Sequence, residues 1–275
     1  MRRMFLCTTL AALAVALIAT VPAGAITFGK PDGNRHPNVG AILADYDPDS
    51  PGLDVLCTGT LIAPRVVQTA GHCTDFLTSI GVEDVWVTFA PTYDEDSAAV
   101  TGIHGSYTTH PDYGFSGHGG FSNPFDLAVV VLDTAPGGLT PATLPQIGLL
   151  DRLKASGEIK RSTFTAVGYG TVREDKTGGP HAFFFDGIRR FALQSYNSLQ
   201  KAWLSLSMQP STGDGGTCYG DSGGPHFLGG KRSNLIVSLT VTGDAMCRAT
   251  DKTYRLDTPW ARDFLEGFPG VSYPD

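Results

Sequence analysis

The 275-residue chain is acidic, with 20 lysine and arginine residues against 27 aspartate and glutamate residues and a formal net charge of −7. An acidic chain without a basic stripe is a poor partner for nucleic acid or an anionic membrane surface, so we expect neither. The length suits a single protein domain with a sizeable core, and the 34 scattered glycines and 18 prolines favour many turns.

Residues 1–25 have the pattern of a secretory signal peptide. Two arginines near the start precede an apolar run from Leu10 to Val21, and the small residues Ala23-Gly24-Ala25 follow it. The run is too short to favour a spanning helix, which needs ~20 apolar residues, and no later stretch approaches that length. We therefore expect cleavage after Ala25 and a secreted domain of residues 26–275.

Short runs of β-branched and aromatic residues recur between turn residues along that domain. They lie at residues 60–62, 85–89, 127–132, 164–167 and 235–241. This pattern predicts an all-β protein. The C-terminus alone has a persuasive helix signal, because Thr258-Pro259 resembles a helix start and Trp260, Phe264 and Leu265 then share a face. The acidic residues 93–97 and the glycine-rich residues 115–123 are interpreted as surface loops, and the acidic loop matches no calcium-binding spacing.

Four cysteines remain after the predicted signal peptide: Cys57, Cys73, Cys218 and Cys247. An even number in an exported chain predicts two disulfides, with three possible pairings. A zinc site would favour a C-x-x-C pair, which the sequence lacks, so we expect no metal.

Three clusters contain residues suited to nucleophilic catalysis. His72 lies in Thr69-Ala70-Gly71-His72-Cys73, Asp126 precedes the apolar run 127–132, and Ser222 lies in Gly220-Asp221-Ser222-Gly223-Gly224-Pro225. A serine hydroxyl attacks an amide only when a base takes its proton, and imidazole titrates near neutrality. A buried aspartate would orient that imidazole and stabilise its charged form. Backbone N–H groups beside the glycines, those of Gly220 and Ser222, are candidates for an oxyanion hole.

These motifs resemble those of the chymotrypsin-like serine protease family, and the resemblance covers nearly all of residues 26–275. Thr-Ala-Gly-His-Cys, Asp-Leu-Ala-Val and Gly-Asp-Ser-Gly-Gly-Pro match the family's histidine, aspartate and nucleophile motifs. Gly168-Tyr169-Gly170 and Ile236-Val237-Ser238 are similar to a family turn and to its substrate-binding strand. The resemblance implies two packed six-stranded antiparallel β-barrels with the active site between them.

The resemblance also implies site residues and an activity. His72, Asp126 and Ser222 would form the catalytic triad of a secreted, monomeric endopeptidase that cleaves polypeptides through an acyl-enzyme, without a cofactor. The implied disulfides are Cys57–Cys73 beside the histidine and Cys218–Cys247 beside the specificity pocket. Cleavage after Ala25 would free the amino group of Ile26, which in this family pairs with the aspartate before the nucleophile, here Asp221.

The predicted specificity pocket has no charge at its base. Trypsin-like relatives carry an aspartate six residues before the nucleophile, where this chain has Gly216. The pocket residues implied by the resemblance are Gly216, Thr217, Ser238, Leu239 and Thr240. An uncharged pocket gains little from a buried cation, so we expect a preference for small or medium apolar residues on the amino side of the scissile bond.

Two other functions fit part of the pattern. Gly220-Asp221-Ser222-Gly223-Gly224 also satisfies the G-x-S-x-G motif of α/β-hydrolase esterases, but that fold needs an aspartate and then a histidine after the serine, and His226 is too close to serve. A catalytically silent binding protein on the same scaffold would be expected to lack a triad member, and all three are present. The remaining histidines, at positions 36, 104, 110, 118, 181 and 226, are expected in surface or loop roles.

Overall fold

The structure is a computed structural model that describes residues 26–49, 52–94, 102–114, 124–173 and 183–275. The predicted signal peptide and the predicted loop at 115–123 lie outside the described residues, as does the acidic segment from Glu95 onward. Among the described residues, no helix is long and apolar enough to cross a bilayer.

The first half of the domain is a closed antiparallel barrel with strand order β2-β3-β4-β7-β6-β5. Its strands are β2 (Val39–Ala44), β3 (Asp54–Ala63), β4 (Val66–Thr69), β5 (Val85–Thr88), β6 (Ile103–Thr109) and β7 (Ala128–Leu132). Valine is the commonest buried residue of β4 and β7, which pair from Val66↔Val131 to Thr69↔Ala128. This register places the residues that follow β4 beside those that precede β7.

The second half is also a six-stranded barrel, because β8 pairs with both β13 and β11 and closes the sheet β11-β12-β15-β14-β13-β8. Its strands are β8 (Thr163–Gly168), β11 (Arg190–Leu199), β12 (Trp203–Ser207), β13 (Pro225–Leu228), β14 (Ile236–Gly243) and β15 (Thr250–Arg255). The short strand β1 (Lys30–Pro31) extends this sheet, and β9 (Val172–Arg173) pairs with β10 (Phe183–Phe184). The predicted all-β, two-barrel fold is confirmed.

Three α-helices accompany the barrels in the described part of the chain: α1 (Gly71–Ile80), α2 (Leu149–Ser156) and α3 (Pro259–Leu265). The predicted C-terminal helix is α3, and the Thr258 hydroxyl accepts a hydrogen bond from the Ala261 N–H as its cap. The other two were not predicted. Both end at a glycine in the left-handed conformation, Gly81 (φ 76°) and Gly157 (φ 77°), which is a usual helix stop.

A buried arginine ties the two barrels together. The fully buried Arg189 guanidinium contacts Asp32 Oδ2 at 3.2 Å and donates to the carbonyls of Val39 and Phe89 in the first half of the domain. Burial opposes the charge of Asp32, but hydrogen bonds from His36 and the nearby Arg189 outweigh it and hold the pKa of that carboxyl below its usual value. Both charges of this buried ion pair therefore have further hydrogen-bond partners, which a buried ion pair needs in order to be stable.

Candidate active site

His72 lies in the first turn of α1, directly after β4. A Cβ at Gly71 would lie 3.0 Å from the Leu127 N, so a larger residue would require the two backbones to move apart by a few tenths of an ångström. The next residue, Cys73, forms a disulfide with Cys57 in β3, as predicted. The helix start is thus fixed against the barrel on both sides of His72.

Asp126 precedes β7 and is nearly buried, with 2% of its side chain exposed. Its Oδ1 accepts a hydrogen bond from the backbone N–H of His72 at 2.9 Å, and its Oδ2 lies 2.9 Å from His72 Nδ1. These contacts require the β4–β7 register, which brings the two chain segments together from 54 residues apart. The carboxylate therefore holds both the backbone and the ring of His72.

Ser222 lies in a tight turn between the two barrels. Gly223 has φ 78°, and a Cβ there would lie 2.2 Å from Thr69 Oγ1 and 2.5 Å from the Thr58 carbonyl oxygen. The Ser222 carbonyl accepts a hydrogen bond from the Thr58 N–H at 2.9 Å. The turn therefore packs against β3 and β4, and this packing places Ser222 beside His72.

The three predicted residues form a continuous hydrogen-bonded line. Ser222 Oγ lies 2.8 Å from His72 Nε2, and His72 Nδ1 lies 2.9 Å from Asp126 Oδ2. The His72 side chain is 29% exposed and faces the cleft. With Nδ1–H donated to the carboxylate, Nε2 can accept the proton of the serine hydroxyl, which is the arrangement that activates a serine nucleophile.

Two backbone donors lie beside the serine. Gly220 has φ 92°, and among the described residues neither its N–H nor that of Ser222 has an acceptor. The Tyr219 carbonyl, which shares its peptide plane with the Gly220 N–H, accepts a hydrogen bond from the Thr171 N–H at 2.7 Å, and the Gly220 carbonyl accepts one from Thr58 Oγ1 at 3.0 Å. Unpaired N–H groups fixed in this way can stabilise a negative oxygen.

A cavity of about 420 Å³ opens beside Ser222. One wall is formed by residues 217–222 and includes the turn at residues 219–224 that carries Ser222, here called the nucleophile turn. The other wall is the end of β14 with the loop that follows, and His72 also borders the cavity. The lining residues are His72, Thr217, Cys218, Tyr219, Gly220, Ser222, Thr240, Val241, Thr242, Gly243, Asp244, Ala245 and Cys247. The predicted disulfide Cys218–Cys247 joins its two sides. Of the predicted pocket residues, Thr217 and Thr240 line the cavity.

The other predicted pocket residues need correction. Ser238 and Leu239 are completely buried, and Ser238 Oγ accepts a hydrogen bond from Thr253 Oγ1. At these positions β14 still lies between β13 and β15 inside the barrel, and it reaches the cleft only from Thr240, whose partners are Gly223 and Gly224. Gly216 lies behind the wall, where a Cβ would lie 2.3 Å from the Met208 side chain.

A buried polar network supports the cavity at Thr240. Its Oγ1 lies 3.0 Å from His226 Nε2, and His226 Nδ1 lies 2.8 Å from Gln194 Oε1. Gln194 Nε2 in turn donates to Asp251. Burial lowers the pKa of His226, so the ring is neutral, donates from Nδ1 and accepts the Thr240 hydroxyl hydrogen at Nε2. Sequence reasoning missed this network, because nothing local marks His226 as buried.

Asp214 does not reach the cavity. Its carboxylate accepts hydrogen bonds from Ser195 and Thr212 at 2.9 Å each. The one carboxylate in the cavity wall is that of Asp244. It accepts hydrogen bonds from the backbone N–H groups of Ala249 and Thr250 and thereby stabilises the loop between β14 and β15. The cavity therefore presents no carboxylate that lacks intramolecular donors.

The segment after Ala25 lies against the second barrel. Ile26 is fully buried with Ala166 and Ala192, and Thr27 bridges to Gly216, whose N–H donates to the Thr27 carbonyl at 3.0 Å. Asp221 is also fully buried, and it accepts hydrogen bonds from the N–H groups of Gly170 and Cys218. Burial raises the pKa of Asp221 to about 7, although these two hydrogen bonds oppose the shift.

Three of the remaining histidines are buried, contrary to expectation. His36 stacks on Phe227 with ring centroids 5.1 Å apart, His226 belongs to the network under the cavity, and His110 stacks on Phe125. His104 is exposed between Asp84 and Asp133, as expected, while His118 and His181 lie outside the described residues.

A second cavity, of about 540 Å³, lies at α3 and is lined by His110, Trp260 and Phe264 among others. Neither Ser222 nor His72 borders it. Within the described part of the chain, the one group of three closely spaced potential metal ligands is Cys57, His72 and Cys73. Its two cysteines are in the first disulfide, so this group is not a metal-binding set.

Comparisons with known proteins point to one family. The family model described as Trypsin matches residues 48–260. A Saccharopolyspora erythraea protein named Trypsin is 26% identical over 203 residues, which cover 70% of this chain and 77% of that protein.

Two solved structures share the fold. HL collagenase has a TM-score of 0.64 and 15% identity, covering 92% of this chain and 100% of that one. A mutant of human heparin binding protein (CAP37) has a TM-score of 0.61 and 20% identity, covering 90% and 100%. At these identities the two structures support the fold alone. The family match spans well over half of the chain, so the chain belongs to the trypsin family of serine endopeptidases.

Proposed function

We propose that this endopeptidase acts through a triad of Ser222, His72 and Asp126 and an acyl-enzyme on Ser222. The observation that carries the proposal is the hydrogen-bonded line from Asp126 through His72 to Ser222 Oγ. Asp126 keeps the proton on Nδ1, which leaves the Nε2 lone pair directed at the serine hydroxyl.

The reaction follows from these positions. Ser222 Oγ bonds to the substrate carbonyl carbon while its proton passes to His72 Nε2, and the carbonyl electron pair moves onto oxygen. That oxygen accepts hydrogen bonds from the N–H groups of Gly220 and Ser222. When the carbonyl reforms, the C–N bond breaks and His72 gives its proton to the amine. Water repeats the sequence with His72 as base and releases the acid and the free serine.

The cavity beside Ser222 is proposed to hold the side chain on the amino side of the scissile bond. Its walls support the expectation of small or medium apolar side chains, because Thr217, Thr240 and Val241 carry no charge. The Thr240 hydrogen is directed to His226, so the Thr240 hydroxyl does not donate to an acidic substrate side chain. Met208 fills the space behind Gly216, which limits the depth available to a long side chain.

We further propose that the chain is exported and acts as a monomer on polypeptides. Residues 1–25 would be removed as a signal peptide, and the freed α-ammonium of Ile26 would pair with Asp221. The buried position of Ile26 and the raised pKa of Asp221 support this role, because a buried carboxylate without a cation is unfavourable.

The decisive experiment is labelling of the purified mature chain with a fluorophosphonate, read by intact mass. We expect one label on Ser222 and hydrolysis of a peptide library after Ala, Val or Leu. Ser222→Ala removes one oxygen and no core volume, so it should fold normally, take no label and lose ~10⁴-fold or more of the activity.

Two outcomes would contradict the proposal. An unlabelled wild-type chain, or a tenth of the activity remaining in pure Ser222→Ala, would favour the silent binding protein or another nucleophile. A preference for Arg or Lys above ~20-fold over apolar residues would leave the triad intact and overturn the proposed pocket preference.

A further inference from the structure

Tyr219 is an exposed aromatic residue in the cavity wall that the proposed reaction does not use. It is 57% exposed, more than any other large hydrophobic residue in the described part of the chain. Its backbone belongs to the nucleophile turn, two residues before Asp221, while its hydroxyl donates to the Ala245 carbonyl at 3.2 Å. Since both residues line the cavity, the side chain spans from one wall to the other.

The Tyr219 side chain has support beyond this hydrogen bond. The Phe183 ring meets it edge to face, with centroids 5.8 Å apart and planes at 85°. The Arg173 guanidinium lies 5.3 Å from the Phe183 ring centroid and donates to the carbonyl of Met246, the neighbour of Ala245. Tyr219 therefore reaches the opposite wall directly at Ala245, and the same wall is joined back to Tyr219 through Arg173 and Phe183.

The disulfide Cys218–Cys247 joins the same two walls immediately beside Tyr219. The disulfide is permanent in an oxidised chain, whereas a neutral hydrogen bond exposed to water is a weak restraint that breaks and reforms readily. One edge of the cavity is therefore fixed, and the edge crossed by Tyr219 can open.

We propose that Tyr219 is a gate across the mouth of the specificity cavity and sets the upper size limit of the substrate side chain that enters it. This inference rests on the proposed function, because it assumes that the cavity beside Ser222 receives that side chain. Small side chains pass under the closed ring. Large aromatic side chains enter only after the hydroxyl leaves the Ala245 carbonyl and the ring leaves Phe183.

The backbone at Tyr219 is held independently of the gate. The Tyr219 carbonyl accepts a hydrogen bond from the Thr171 N–H at 2.7 Å, and the Gly220 carbonyl is held by Thr58. Substitution of the tyrosine side chain therefore leaves the oxyanion donors in place, which makes a change in size selectivity separable from a general loss of activity.

The test compares kcat/KM for peptides that differ only in Ala or Phe on the amino side of the scissile bond. Tyr219→Phe removes only the bond to Ala245, and we expect the Phe-to-Ala ratio to rise roughly fivefold. Tyr219→Ala removes the ring, and the ratio should rise roughly tenfold or more. Phe184→Ala is the control, since this neighbouring aromatic is 38% exposed and does not line the cavity.

The results separate the gate from the proposed function. Normal fluorophosphonate labelling with an unchanged Phe-to-Ala ratio in both Tyr219 variants would overturn the gate and leave the triad standing. An equal change for both peptides would assign Tyr219 a merely structural role. If the wild-type chain takes no label, the proposed function fails and the gate fails with it.

Discussion

Thr58 is a completely buried side chain that orients the backbone around the nucleophile. Its Oγ1 donates to the Gly220 carbonyl at 3.0 Å and accepts from the Tyr169 N–H at 3.2 Å. Because a peptide plane is rigid, these bonds fix the plane of the Gly220 carbonyl and the Asp221 N–H, which lies between the two peptides that carry the Gly220 and Ser222 N–H groups. We infer that Thr58 positions the oxyanion donors without touching substrate.

Replacement of Thr58 by valine preserves shape and removes both hydrogen bonds. We expect kcat to fall roughly tenfold with little change in KM, because a misaligned donor weakens the transition state more than the bound substrate. Steady-state kinetics on one peptide measure the effect, and Thr58→Ser, which restores the hydroxyl, should recover most of the rate.

Thr60→Val is the matched control for this prediction. Thr60 lies on the same strand and is equally buried, but its hydroxyl has no partner among the described residues. Its loss should leave kcat unchanged and should not destabilise the chain. Equal losses of kcat in the two variants would assign the effect to strand packing and contradict the positioning role.

At the level of residues, the sequence predicted what local motifs encode. His72, Asp126 and Ser222 each lie in a recognisable motif, and the structure brings these three side chains together. The burial of His36 could not be predicted, because its stacking partner Phe227 lies on the other barrel, far along the chain. The partners of His226 and Tyr219 are likewise set by tertiary contacts.

The nucleophile turn is the element on which the site depends most. Gly223 has a left-handed backbone and no room for a side chain, since Thr69, Ala70 and the Thr58 carbonyl surround it. Gly213 provides a contrast, because it has φ 84° but nothing within 4 Å of its hypothetical Cβ.

We predict that Gly213→Ala costs only the backbone strain, about 1 kcal/mol of unfolding free energy. Gly223→Ala has the same strain and also a steric clash, so it should cost at least ~2 kcal/mol more and abolish hydrolysis. Urea denaturation monitored by tryptophan fluorescence gives both values. Equal stability of the two variants would show that the turn relaxes easily, contrary to this account.

Element boundaries show where the sequence was informative and where it was not. Strands were recognisable from β-branched runs, and α3 from its Thr-Pro start, since both signals are local. The helix α1 escaped prediction although Leu77 and Gly81 mark its inner face and its end. The wall of the cavity was misplaced onto Ser238 and Leu239 because the exit of β14 from the barrel depends on its pairing with β13.

At the scale of the whole molecule, maturation should change how stability depends on pH. In a chain extended before Ile26, Asp221 titrates at about 7 instead of 3.8. A raised carboxyl pKa means that the folded state binds the extra proton, so the contribution of Asp221 to stability is fully present below pH ~4 and is lost as pH rises towards 7. The shift of about three units corresponds to a loss on the order of 4 kcal/mol.

The mature chain should avoid this loss, because the α-ammonium of Ile26 favours the charged carboxylate. We expect equal melting temperatures for mature and Gly-Ser-extended chains near pH 4.5, and a higher value for the mature chain at pH 7.5. Above the raised pKa of the amine the difference should shrink again. Both chains carry Ser222→Ala to prevent self-digestion, and a difference that does not vary with pH would contradict the pairing.

The architecture as a whole was predictable because the family motifs extend across both barrels. The connection between the barrels was not, since Arg189 has no motif and its partners, Asp32 and the carbonyls of Val39 and Phe89, come from distant segments. Buried charge is recognisable only once the chain is folded around it.

The complete burial of Ile26 and Thr27 has a consequence for the order of events in the life of the chain. A processing enzyme needs the bond after Ala25 in an extended, accessible strand, and the docked segment withholds the residues on one side of that bond. In the proposed maturation, removal of the leader must therefore come before the second barrel closes over Ile26. The active protease would then assemble only after translocation, so the cytoplasm in which the chain is synthesised would contain no active enzyme.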